Sequence, residues 1–180
     1  MAVEPDTKDW TWVLERPCPE CGFDTSTLKL GQVSHIVRGN AARWRLALAD
    51  ERVARRPSAD VWSALEYGCH VRDVFRLYDE RLARMLAEDD PLYANWDQDK
   101  TAVDDRYDLQ SPARVAHEID GAADVLAGRF ETVSSADWHR TGRRSDGVSF
   151  TVETFARYFV HDPIHHLHDV EIGYELLGRG

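Results

Sequence analysis

Between Ala59 and Glu88 the chain runs for thirty residues without a proline, and Tyr67, Val71, Val74, Leu77, Tyr78, Leu82 and Met85 recur near the 3.6-residue period. A helix of that length carries an apolar stripe it cannot cover by itself, so its neighbours must be long elements that pack along it. Ser58 is placed to cap its start. Leu28 to Arg56 favours an earlier helix, mildly interrupted at Gly39 and stopped by Arg55-Arg56-Pro57-Ser58. Ser111-Pro112 opens a third helix to about Phe130, and Ser149 to about Leu177 is long enough for a last one, which Pro163 should kink or divide. The charged segment Asp89 to Gln110 reads as a long connection across one end, and residues 131–148, with Gly142 and Gly147, as a loop or short hairpin. Long helices joined in this way predict an all-α four-helix bundle over residues 29–180. Residues 1–28 carry Pro5, Pro17, Pro19 and Gly22 beside Trp10, Trp12 and Phe23, and read as an ordered N-terminal lead-in.

Charge narrows the partners. A formal net charge of −10 repels phosphate backbones and anionic lipid, so neither nucleic acid nor membrane is expected. No apolar run reaches the roughly 18 residues that span a bilayer. Met1-Ala2-Val3-Glu4-Pro5-Asp6 lacks the pattern of a signal peptide, and a cytoplasmic protein is the expectation. With three cysteines in a reducing compartment, metal or redox chemistry is the better first question than a disulfide scaffold.

The stretch His161-Asp162-Pro163-Ile164-His165-His166-Leu167-His168 holds four of the eight histidines. On a helix His161, His165 and His168 stand at i, i+4 and i+7, and two imidazoles one turn apart can grip a single ion. The general-base Glu of the HExxH helix is absent, so this is no zincin protease signature. The competing reading is a solvated histidine face favoured by the helix dipole. His70 lies on the apolar stripe between Tyr67, Val71 and Val74, where a desolvated imidazole needs a partner, as a metal ligand or as a satisfied core histidine.

The pattern Cys69-His70-Val71-Arg72-Asp73-Val74 on the second helix, followed by His161 to His168, resembles the DinB superfamily, which includes bacterial thiol S-transferases and mycothiol-dependent maleylpyruvate isomerases. The likeness runs from about Leu28 to Tyr174 and takes in Asp137-Trp138. It implies a four-helix bundle holding a divalent metal through one His of the second helix and an HxxxH pair of the last, here His70, His161 and His165. Three imidazoles fill three of zinc's four positions, or half an octahedral site for nickel or iron, and leave room for a ligand. The chemistry implied is attack by a low-molecular-weight thiol, such as mycothiol, bacillithiol or glutathione, on a small electrophile. A non-catalytic, stress-associated metal-binding protein, with a homodimer among the arrangements it admits, is the alternative, and a plain bundle with incidental histidines is a third. Pro163 departs from an ideal helix between the paired ligands.

Cys18-Pro19-Glu20-Cys21-Gly22 stands outside the resembling region and has the form of half a zinc ribbon. Only Cys69 remains as a further thiol, so a complete four-thiolate ribbon is excluded. Cys18 and Cys21 are left as metal ligands with outside partners such as His35, as a redox dithiol, or as a buried turn, in a unit separate from the three-His site. His168 is read as an outer donor to the metal ligands, a proton shuttle or a surface residue. Asp162 and Asp169 are candidates for orienting rings, and Arg157 for an anionic substrate group or a salt bridge. Tyr93 and Trp96 either cover the mouth of the site or pin the long connection to the core.

Overall fold

The computed structural model describes residues 10–178, so the Met1–Asp6 stretch and the start of the lead-in lie outside it. Among these residues are five helices, α1 (Val33–Ala47), α2 (Ala64–Ala87), α3 (Gln98–Asp104), α4 (Pro112–Glu131) and α5 (Val152–Gly178). Three short strands, β1 (Leu92–Tyr93), β2 (Thr141–Arg144) and β3 (Ser149–Thr151), form a small sheet in which β2 pairs parallel to β1 and antiparallel to β3. The four long helices make the bundle. α1 and α2 each pack against both α4 and α5, so α1 lies diagonally across from α2, and the connections around residues 48–63 and 132–151 must cross the ends.

The second helix begins at Ala64 and not at Ala59, because Ser63 outcompetes Ser58 as its cap. Ser63 accepts from the Glu66 backbone N–H at 3.3 Å while Glu66 accepts from the Ser63 backbone N–H at 2.8 Å, a complete capping box. Ser58 donates its hydroxyl to Asp60 instead. The first helix is shorter than expected at its C-terminal end: Asp50 accepts from the Arg52 backbone N–H and guanidinium, at 2.8 Å in each case, and this local turn competes with continued helix.

Pro163 does not divide α5. Its own carbonyl accepts from Asn40 Nδ2 at 3.1 Å and Trp44 Nε1 at 3.2 Å, so buried donors of α1 grip the helix at the point where proline weakens it. Of the loop or short hairpin expected over residues 131–148, the structure shows a hairpin, β2 to β3, which runs on to Thr151, so α5 begins at Val152 and not at Ser149. At Gly142 a Cβ would stand 2.8 Å from Met85 Cγ, so only glycine lets the strand lie on the end of α2. The core is aromatic at its centre, where Phe159 meets Phe75, Tyr78 and Phe130.

Glu66 offers a measurable test of the cap. It is buried, accepts from Ser63 and from Arg56 Nε at 2.9 Å, and forms an ion pair with Arg56. Burial pushes its carboxyl up, but the bonds from Arg56 and Ser63 outweigh this and hold it below the usual range. A depressed folded-state pKa contributes stability above the usual value of 4.5 that is lost as pH falls through the folded value. Glu66→Ala is expected to cost about 2 kcal/mol in urea unfolding at neutral pH, and less at low pH. An equal cost at both would contradict the assignment.

Candidate metal centre

Successive residues of a helix point about 100° apart. The His-rich run of α5 therefore presents two stripes, His161 and His165 on one, and Asp162, His166 and Asp169 on the next. The first stripe faces the lead-in and the second faces α2.

On the second stripe, His70 of α2 is fully buried and places Nε2 3.5 Å from Asp162 Oδ1. The geometry falls short of a hydrogen bond: both ring nitrogens of His70 and Asp162 Oδ1 are buried without such a partner among the described residues. His166 Nε2 lies 3.9 Å from the other carboxylate oxygen, and its Nδ1 meets Asp169 Oδ2 at 2.8 Å. Asp169 thus fixes the ring with Nε2 turned toward Asp162, the kind of outer partner that metal-binding histidines have. Donor atoms of His70, Asp162 and His166 all lie within 4.8 Å of one another. Trp96 stacks on His70 at 5.3 Å and 7°, Trp62 tilts against it at 5.6 Å, and His166 meets it edge-on. Burial pushes the Asp162 carboxyl up, yet the attraction of His70 and His166 prevails and holds it at about 2. The carboxylate is therefore ionised at neutral pH. Two imidazoles and one carboxylate within 4.8 Å of one another, His70 and Asp162 Oδ1 without a hydrogen-bond partner among the described residues, fit a divalent ion with open positions.

On the first stripe, Cys18 Sγ lies 3.6 Å from His165 Nδ1. Donor atoms of Cys18, Cys21, His161 and His165 again lie within 4.8 Å of one another. Burial, helped by neighbouring His165, pushes His161 down to about 4, and burial also lowers His165, so both rings are neutral. Burial likewise lifts the Cys21 thiol to about 11. Trp10 covers both imidazoles, at 5.6 Å and 5.0 Å between ring centroids.

The structure thus divides the expected set of His70, His161 and His165 between two groups. The i, i+4 spacing is shared by His161/His165 and by Asp162/His166, and only the packing of α5 against α2 shows which pair meets His70. His166 joins the group although no sequence pattern singles it out; its one signal is Asp162, one turn before it. Cys18 and Cys21 do not form a unit separate from the histidines, because the lead-in folds back onto α5. Arg157 holds it there: it pairs with Glu153 and donates to the carbonyls of Thr25 and Leu28. His35 is exposed on α1 and His168 half-buried, and neither belongs to a group of donors among the described residues. Asp169 does orient a ring. Trp96 covers His70, while Tyr93 is buried against Arg81.

A cavity of about 660 Å³ opens beside both groups, lined by His70, Asp162 and His166 on one stripe and by His161 and His165 on the other, with Trp96, Arg81 and Tyr158. No helix of the described residues is long and apolar enough to cross a membrane.

The sequence profile of the DinB superfamily matches residues 36–170. No curated protein matches the sequence. In structure the chain is similar to YfiT from Bacillus subtilis, with a TM-score of 0.72 at 14% identity, over 81% of this chain and 86% of that one. YfiT is described as a probable metal-dependent hydrolase with an unusual four-helix bundle topology.

Proposed function

Because the chain belongs to the DinB superfamily, we propose that it is a metal-dependent enzyme which holds one divalent ion through His70, Asp162 and His166 and joins a low-molecular-weight thiol to a small electrophile. The observation that carries this reading is a set of three buried or half-buried donors, His70 with neither ring nitrogen hydrogen-bonded among the described residues, at the edge of a 660 Å³ cavity. Zinc suits the donors best, and nickel or iron also accept two imidazoles and a carboxylate. A divalent ion bound there lowers the pKa of a thiol or water beside it.

The chain's own residues supply position and dryness. Asp169 keeps His166 in one orientation. Trp96 and Trp62 wall off His70 from water on two sides. Arg81 lines the cavity and can hold an anionic group of the thiol or of the electrophile, while Arg144 is paired with Asp146, and Asp97 and Asp99 line the same wall. An open cavity beside the donors favours catalysis over a purely structural ion, which needs no access.

Hydrolysis is the second reading, supported by the description of YfiT. One experiment separates them. Protein loaded with zinc is mixed with a model electrophile and mycothiol, bacillithiol or glutathione in turn, and with ester and amide substrates without thiol. Acceleration of one thiol reaction, lost on chelation and restored by zinc, is the expected result. Equal rates for loaded and stripped protein with every thiol would end the thiol reading, and ester or amide cleavage would establish the hydrolytic one.

A further inference from the structure

We propose that Cys18, Cys21, His161 and His165 bind a second zinc ion in a closed, structural Cys2His2 site that fastens the lead-in to α5. Its donors differ from those of the site proposed above, and the inference does not depend on that site's chemistry.

Distance is the first argument. With Zn–S of about 2.3 Å and Zn–N of about 2.1 Å, a tetrahedron has S···N edges of about 3.6 Å. Cys18 Sγ and His165 Nδ1 are 3.6 Å apart, and the remaining donors fall within 4.8 Å, close enough to contract onto one ion. A second argument is an orphan: His161 Nε2 is buried, in a residue only 4% exposed, and has no hydrogen-bond partner among the described residues. A third is the other side of His165. Its Nε2 faces Glu20 Oε2 at 3.4 Å and Asp169 Oδ1 at 3.7 Å, carboxylates placed to accept the N–H left when Nδ1 is the ligand.

The turn that carries the cysteines is shaped for the task. The Gly22 N–H donates to the Cys18 carbonyl and the Cys18 N–H to the Phe23 carbonyl, both at 2.9 Å, and Gly22 takes a φ of +74° that L side chains rarely adopt. The closed loop turns both sulfurs toward the imidazoles. Two thiolates and two imidazoles select zinc over harder ions, and four protein ligands leave no open position, so the ion is structural. On binding, each thiol gives up its proton to solvent and four bonds from the protein replace zinc's bonds to water, which is released, with no change in oxidation state.

The test uses the whole chain with cobalt(II) in place of zinc, because thiolate ligation gives cobalt a charge-transfer band that imidazole and carboxylate alone do not. Two ions per chain and that band are expected, with the band displaced by zinc. Cys18→Ser with Cys21→Ser should lose one ion of two and the band together. Asp162→Asn should lose the other ion and keep the band, which separates a failure here from a failure of the first site. Should the cysteine variant not fold, the unaltered protein still decides. Thiols that react as fast with zinc present as without it, a Cys18–Cys21 disulfide in the purified protein, or absence of the band in folded, cobalt-loaded protein would each overturn the proposal.

Discussion

Asp162→Ala is expected to empty the ion position between α2 and α5 and to take catalysis with it, while the bundle stays folded. Asp162 is half-buried and its carboxylate is the point to which His70 Nε2 and His166 Nε2 both turn, at 3.5 and 3.9 Å. Loss of an outer residue that merely orients a ligand costs metal affinity roughly 10- to 100-fold. Removal of one of three protein ligands should cost more than 100-fold, and Asp169→Asn should fall within that smaller range. Elemental analysis after dialysis, paired with the rate of the loaded protein, reads both. His165→Ala is the control, and it should leave this ion in place. Were His165→Ala to empty the position and Asp162→Ala to spare it, the ligands would be His70, His161 and His165.

Phe159→Ala is expected to have the largest effect on stability. The ring is fully buried and meets Phe75, Tyr78 and Phe130 at centroid distances of 5.8, 4.9 and 6.1 Å, so α2 and α4 both close on it. A hole surrounded by stiff rings collapses poorly, which puts the cost at about 3–5 kcal/mol. Against a total of about 5–15 kcal/mol that is a large share, and Tm should fall by roughly 10 °C or more. Urea unfolding at a fixed zinc concentration measures it, since bound metal adds stability by mass action. A loss under about 1 kcal/mol would mean that the centre repacks.

The bundle is readable because its helices carry long periodic stripes, and α4 starts at Pro112 and ends within one residue of the expected limit. Helix ends decided by side-chain competition were less readable. Ser58 and Ser63 both resemble caps, and only Glu66 three residues after Ser63 distinguishes them. Pro163 reads as a kink or a division because the sequence does not reveal that Asn40 and Trp44 reach its carbonyl from a distant helix. At the candidate site the types of residue were legible and their grouping was not. A rotation of α5 by one residue exchanges His161/His165 for Asp162/His166, and that rotation is set by the apolar packing of Phe155, Phe159 and Leu167.

Cys18 and His165 meet across 147 positions of sequence. During synthesis the cysteine turn leaves the ribosome before any bundle helix, and its imidazole partners emerge only after α1, α2 and α4 are complete. Loop closure over such a span costs only about 0.6 kcal/mol more for each doubling of length. The separation therefore weighs little in the finished protein and heavily in the calendar of its birth, where two thiols wait, exposed, for the last helix.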